Sequence, residues 1–314
     1  MADSIRQVYG ETLARLGGQD PRLVVLDADV SSSTQTRFFA QAHPDRFFNL
    51  GIAEANMTAT AAGLAQQGFV PFVNTFAVFI SSIGLLAARS LACYGRLNVK
   101  LAGAYCGLSD AFDGASHHAT EDLAILRTLP HMTVLCPSDA QSAAALTRTA
   151  LETPGPCYLR LSRDVYPDLY PEGVSFAPGG GHIVREGSHV TVFACGLLVH
   201  KALEAAELLA HQGISVQVVD LYSVKPLDRA LICRCAAQTG AVVTAEEHSV
   251  IGGLGSSVAE VLATSGHLVP MELVGVRDTF TESGPYGTLL AKYGLDGAAV
   301  AGAVERVLAR AAVT

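Results

Sequence analysis

Short apolar runs alternating with alanine- and glycine-rich stretches of helical length constrain this chain more than any other feature. Residues 23–27 (LVVLD), 69–72, 99–102 and 132–135 have strand length and little of the polar alternation of a half-exposed strand. Residues 4–16, 55–67 and 83–93 have helical length, and Gly17-Gly18 stops the first of them. Strands buried on both faces and joined by crossover helices read this way, so the pattern predicts βα units around a parallel sheet. Turn formers then concentrate in Tyr166-Pro-Asp-Leu-Tyr-Pro-Glu-Gly173 and Ala177-Pro-Gly-Gly-Gly181, where a linker is expected. The alternation restarts beyond it, with strands at 190–194, 216–220 and 241–245 and helices at 200–212, 227–237 and 253–265. The expectation is two consecutive α/β domains with mostly parallel sheets, residues 1–170 and 182–314.

Composition narrows the function classes. Half of the 314 residues are apolar and 16% are charged, which excludes a disordered chain. A net charge of −8 argues against nucleic acid as a partner, because such binding needs a basic face. The mostly apolar run 69–88 is about long enough to span a bilayer. Pro71, Asn74, Thr75, Ser81, Ser82 and Gly84 interrupt it, as a buried strand, a turn and a helix would require, so no membrane partner is expected. Asp3, Arg6, Glu11 and Arg15 leave no apolar core for a signal peptide. Seven scattered cysteines, an odd count, suit the reducing cytoplasm better than a disulfide framework. Cys233-x-Cys235 is spaced too closely for a zinc knuckle, and no metal site is expected in this chain.

Four blocks could carry chemistry. In Gly51-Ile-Ala-Glu54-Ala-Asn-Met57, an acid stands among apolar residues at the front of a helix. By position it reads first as a helix-start acid that suits the dipole, and its apolar neighbours offer the alternative of a desolvated proton carrier. In Thr75-Phe-Ala-Val-Phe79, Phe76 and Phe79 are core residues or the flat floor for a planar ring. The loop from Gly107 to Asp122 sets His117 and His118 beside Asp113-Gly114, a polar cluster more like a site than a structural turn. In Leu161-Ser162-Arg163, the arginine is a surface residue or an anion ligand.

In this order, the four blocks resemble the transketolase family, specifically its C-terminal half. Pro130-His-Met-Thr-Val134, Pro137-Ser-Asp139, Ala245-Glu-Glu-His248, Gly252-Gly-Leu-Gly255, Ser283-Gly-Pro and Lys292-Tyr-Gly-Leu-Asp296 extend the resemblance along essentially the whole chain. The resemblance implies a pyrimidine-binding domain followed by a transketolase C-terminal domain, with thiamine diphosphate as cofactor. Glu54 would hydrogen-bond the aminopyrimidine ring nitrogen and activate the cofactor, and Phe79 with Phe76 would stack on that ring. Asp29 would lie near it. His117, also a catalytic candidate, and Asp113 would contact substrate hydroxyls. Arg6, Ser33 and Arg163 fall where sugar-phosphate contacts are expected.

Some positions depart from the family pattern. Tyr105 replaces a histidine that helps to bind the substrate phosphate, Ala111-Phe112 replaces Gly-Glu, and Ser82 replaces a tyrosine. No Gly-Asp-Gly occurs, so the diphosphate and its Mg2+ or Ca2+ would be held by a partner. The expectation is therefore a split transketolase, with an N-terminal subunit that carries the diphosphate-binding domain and two copies of each chain. It would transfer a two-carbon ketol unit between sugars or sugar phosphates. The alternatives are the beta subunit of a 2-oxoacid dehydrogenase decarboxylase, a deoxyxylulose-phosphate synthase fragment, or a non-catalytic half-enzyme.

Overall fold

The computed structural model describes residues 4–312, so the outermost residues of both expected domains, 1–3 and 313–314, lie outside the described residues. Among the described residues, twelve strands form two sheets. In chain order they are β1 (Leu23–Asp27), β2 (Phe47–Asn49), β3 (Val70–Phe76), β4 (Lys100–Ala104), β5 (Thr133–Leu135), β6 (Cys157–Arg160), β7 (His182–Arg185), β8 (Val190–Ala194), β9 (Val216–Asp220), β10 (Ser223–Lys225), β11 (Val242–Ser249) and β12 (Met271–Val276). The first sheet has the order β10-β5-β6-β4-β3-β1-β2 and the second β12-β11-β8-β9-β7. All pairings are parallel except β10 with β5 and β7 with β9, both at sheet edges. The architecture is two α/β domains with mostly parallel sheets, as the apolar runs predict.

The apolar runs lack alternation because both faces are covered. Along β1, Leu23 and Val25 pack with Ile5, Tyr9, Leu13 and Leu16 of the helix Ile5–Gly17. The intervening Val24 and Leu26 pack with Met57 and Ala61 of the helix Glu54–Gln66 on the opposite face. Successive strand residues point to opposite faces, so every position of β1 is buried. In the second domain, Leu197–Ala210 and Gly297–Ala311 cover one face of the sheet, and Arg229–Thr239 with Leu254–Thr264 covers the other.

Three features depart from the sequence expectation. The strand expected at 69–72 runs on to Phe76, which carries the Thr75-Phe76 pair into the sheet edge. Residues 83–93 are not one regular helix. Leu85–Ala87 is α-helical, and Ala88–Cys93 takes the wider turn, in which Tyr94 N–H bonds the Arg89 carbonyl. Residues 223–225, within the expected second domain, return to the first sheet as its antiparallel edge. The turn-rich segment between the domains is held in place. Leu169 and Tyr170 N–H donate to the Asp139 carboxylate at 2.8 and 2.9 Å, and the Tyr170 hydroxyl donates to Asp220 at 2.7 Å. No helix among the described residues is long and apolar enough to cross a membrane.

Candidate functional site

The C-terminal ends of β1, β2, β3 and β4 lie along one edge, with Asp27 in register with Asn49 and Asn74, and Phe76 with Ala104. The chain leaves β1 for β2 on one side and continues from β3 on the other, so the strand order reverses at β1. Loops diverge at such a point and leave a crevice, where ligands of open α/β sheets bind. Two residues just beyond the strand ends, Asp29 and Tyr105, have φ of +67° and +58°, conformations that side chains other than glycine seldom adopt.

Glu54 opens the helix Glu54–Gln66 and is 4% exposed. Its Oε1 accepts from the Thr75 hydroxyl at 3.3 Å, which ties the carboxylate to the end of β3. Beside Thr75, the rings of Phe76 and Phe79 lie 5.9 Å apart. His117 meets Phe79 edge-on at 5.3 Å, and Tyr105 stacks on Phe76 at 4.7 Å with 15° between the planes. A buried carboxylate and an aromatic wall thus share one strand end. Asp29 is exposed and accepts from Asn49 Nδ2 at 2.7 Å, and Asn49 in turn accepts from the Gly51 N–H at the approach to Glu54.

A second cluster is cationic. Arg6 Nη1 donates to the Ser33 carbonyl at 3.1 Å and to the Tyr105 hydroxyl at 2.7 Å. The Arg163 guanidinium lies 5.1 Å from the ring centre of the same tyrosine, and Nη1 donates to Asp110 at 3.1 Å. Burial and the charge of Asp113 push the Asp110 carboxyl up to about 6, against the pull of Arg163. One Asp110 oxygen, Oδ2, is buried without a hydrogen-bond partner.

The second domain holds the loop that carries these groups. Leu108 N–H donates to Glu247 at 2.8 Å, and the Tyr286 hydroxyl donates to the same oxygen at 2.9 Å. Gly284 N–H and the Ser283 hydroxyl donate to the carbonyls of Ala111 and Phe112. His118 Nδ1 lies 2.5 Å from the Thr281 hydroxyl, which ties the loop to the second domain, and burial pushes its pKa below that of a free imidazole. Beneath, Arg160 makes a two-pronged pair with Asp122 and donates to the Glu247 carbonyl. Glu246 caps the helix Leu254–Thr264 through the N–H groups of Leu254 and Gly255.

The structure thus brings Phe76, Phe79 and His117 to one wall, ties Glu54 to Thr75 at the same strand end, and brings Arg6, Ser33 and Arg163 to one bay, with Tyr105 touching both wall and bay. It separates the two histidines: His117 faces the aromatic wall and His118 faces the second domain. Asp29 lies on the side of β2. Asp113 is exposed on the loop, within electrostatic reach of Asp110. Sequence reasoning did not single out Asp110, Glu247 or Tyr286. Only the Ala245-Glu-Glu-His248 and Ser283-Gly-Pro motifs hinted at the latter two. Among the described residues, no group of three or more His, Cys, Asp or Glu could hold a metal ion.

Residues 2–168 match the model of the transketolase pyrimidine-binding domain, and residues 179–300 match that of the transketolase C-terminal domain. The chain belongs to the transketolase family. Within it, similarity is strong to proteins that carry only the C-terminal part. It is 42% identical to a transketolase C-terminal section of Methanocaldococcus jannaschii, covering 95% of this chain and 94% of that protein. It is 40% identical to a 6-deoxy-6-sulfo-D-fructose transketolase subunit, SqwH, of Clostridium sp., covering 98% and 95%. A solved split-gene transketolase, an inactive β4 tetramer, superposes with a TM-score of 0.90 at 47% identity, over 98% of this chain and 99% of that one. Human transketolase is 36% identical, and the chain spans about half of its length.

Proposed function

We propose that this chain is the C-terminal subunit of a split, thiamine-diphosphate-dependent transketolase, which moves a two-carbon ketol unit from a ketose to an aldose. The observation that carries the reading is the buried Glu54 carboxylate, bonded to Thr75 at the strand end from which Phe76 and Phe79 follow, at the switch point of the sheet. Relatives of the same extent support the two-chain form. Seven unpaired cysteines suit a cytoplasmic enzyme.

The residues present fit the aminopyrimidine end of the cofactor. Oε1 of Glu54 is engaged by Thr75, which leaves Oε2 to hold a proton against the ring nitrogen, and Phe79 with Phe76 would supply a face for the ring. For the diphosphate and its Mg2+ or Ca2+, the described residues offer no comparable ligand cluster, so the N-terminal subunit would hold them, in a heterotetramer with two copies of each chain. When bound, thiamine diphosphate supplies the electron sink that permits cleavage of a carbon–carbon bond next to a carbonyl. His117 and Asp113 would orient substrate hydroxyls from the loop that the second domain clamps. Arg6, Ser33 and Arg163 would receive the charged end of the sugar. The Clostridium relative's name extends the candidate ketoses to sulfo-sugars.

The test is turnover of xylulose 5-phosphate plus ribose 5-phosphate with thiamine diphosphate and Mg2+. The chain is assayed alone and with the N-terminal subunit from the same genome. Turnover in the mixture alone is expected. Full activity of the isolated chain, or a mixture that consumes only 2-oxoacids, would overturn the reading.

A further inference from the structure

Tyr105 joins the aromatic wall to the cationic bay, and it is held there at a backbone cost. Its φ of +58° lies in the left-handed region, which bulky L side chains avoid. The contacts that offset this strain are the stack on Phe76, the guanidinium groups of Arg163 and Arg6 at 5.1 and 5.5 Å from the ring centre, and the 2.7 Å bond from Arg6. The residue is 5% exposed. A guanidinium only donates, so the Tyr105 oxygen is the acceptor in that bond and its own proton stays uncommitted. No acceptor among the described residues takes it. A buried donor without an acceptor is costly unless a ligand supplies one.

The charges around this hydroxyl nearly cancel. Arg163 is paired with the fully buried Asp110, and Asp164 lies within electrostatic reach of both Arg163 and Arg6. Two cations therefore face two carboxylates. Such a bay recognises an anion more by hydrogen-bond geometry than by net charge, because the carboxylates already neutralise much of the arginine field.

Resting on the transketolase reading above, we propose that Tyr105 sets the headgroup preference of this site. Its hydroxyl donates to a tetrahedral oxyanion on the terminal carbon of the sugar, between Arg6 and Arg163, and the balanced charges accept a singly charged sulfonate as well as a doubly charged phosphate.

The assembled two-chain enzyme tests this with three donors and one aldose acceptor: erythrulose, fructose 6-phosphate and 6-deoxy-6-sulfofructose. For the wild type, kcat/KM for the two charged donors is expected to agree within about tenfold. A larger preference for phosphate would overturn the charge argument. Tyr105→Phe keeps the stack and removes only the hydroxyl. It is expected to raise KM for both charged donors roughly tenfold more than for erythrulose, with a smaller change in kcat. An equal effect on all three donors, or none, would remove Tyr105 from headgroup recognition. Asp164→Asn adds one net positive charge and is expected to shift the preference toward phosphate, whereas an unmoved ratio counts against the proposal. Failure of the wild-type assembly to turn over any of the three would sink the transketolase reading itself, a result distinct from a missing Tyr105 effect.

Discussion

Glu54 shows how far a single residue can be read. Its place at a helix start among apolar neighbours is visible in the chain, but its partner Thr75 is 21 positions away and meets it only across the sheet edge. Glu54→Gln preserves shape and the Thr75 contact but removes the exchangeable acid. In the assembled enzyme, turnover is expected to fall at least about 100-fold, with the melting temperature almost unchanged. Turnover within threefold of wild type would mean that the carboxylate does no proton work. Arg6, Ser33, Tyr105 and Arg163 illustrate the opposite limit. No spacing rule links residues from the first helix, the short helix Ser31–Thr34 after β1, the end of β4 and the strand exit after β6, and only folding brings them into contact.

At the level of elements, the strands and most helices follow from local pattern, because burial on both faces dictates unbroken apolar runs. The wide turn at Ala88–Cys93 does not, since its residues are those of an ordinary alanine-rich helix. The loop after β4 depends on Gly107, which has φ of +59° and faces Glu247 so closely that a Cβ would stand 2.4 Å from the Glu247 Cδ. Gly107→Ala is expected to destabilise the chain by about 2 kcal/mol or more, from backbone strain and displacement of Glu247. It should also lower kcat/KM by loosening the segment that carries Asp113 and His117. Urea unfolding and the two-chain assay check both effects, and a variant with wild-type stability would show that the contact is dispensable.

For the whole molecule, the junction between the domains is electrostatically unusual. Asp220 receives the hydroxyls of Ser138 and Tyr170, and Glu247 receives Leu108 N–H and the Tyr286 hydroxyl. Burial pushes both carboxyls up to about 7, whereas in the unfolded chain they titrate near 4. The folded protein therefore binds more protons than the unfolded chain between about pH 4 and 7. The stability these groups contribute is complete at the acid end and is lost as pH rises through 7, by up to about 1.4 kcal/mol per pH unit for each. The urea midpoint is expected to be lower at pH 8 than at pH 6. Combining Asp220→Asn with Glu247→Gln should flatten that decline, and an unchanged slope in the double variant would refute the assignment.

Local pattern alone determined the α/β class, the alternation of elements and the identity of the Glu54, Phe76–Phe79 and His117 blocks. The reason is that periodicity and turn chemistry act over a few residues. The tertiary structure decided what those blocks do together. It turned β10 back into the first sheet, sent His117 and His118 to different neighbours, and set Glu247, Thr281 and Ser283 against the loop after β4. It also brought Arg6 and Arg163 to the ring of Tyr105. These contacts join residues up to 171 positions apart, and register, sheet order and domain packing specify them, none of which is written in any local stretch of the chain.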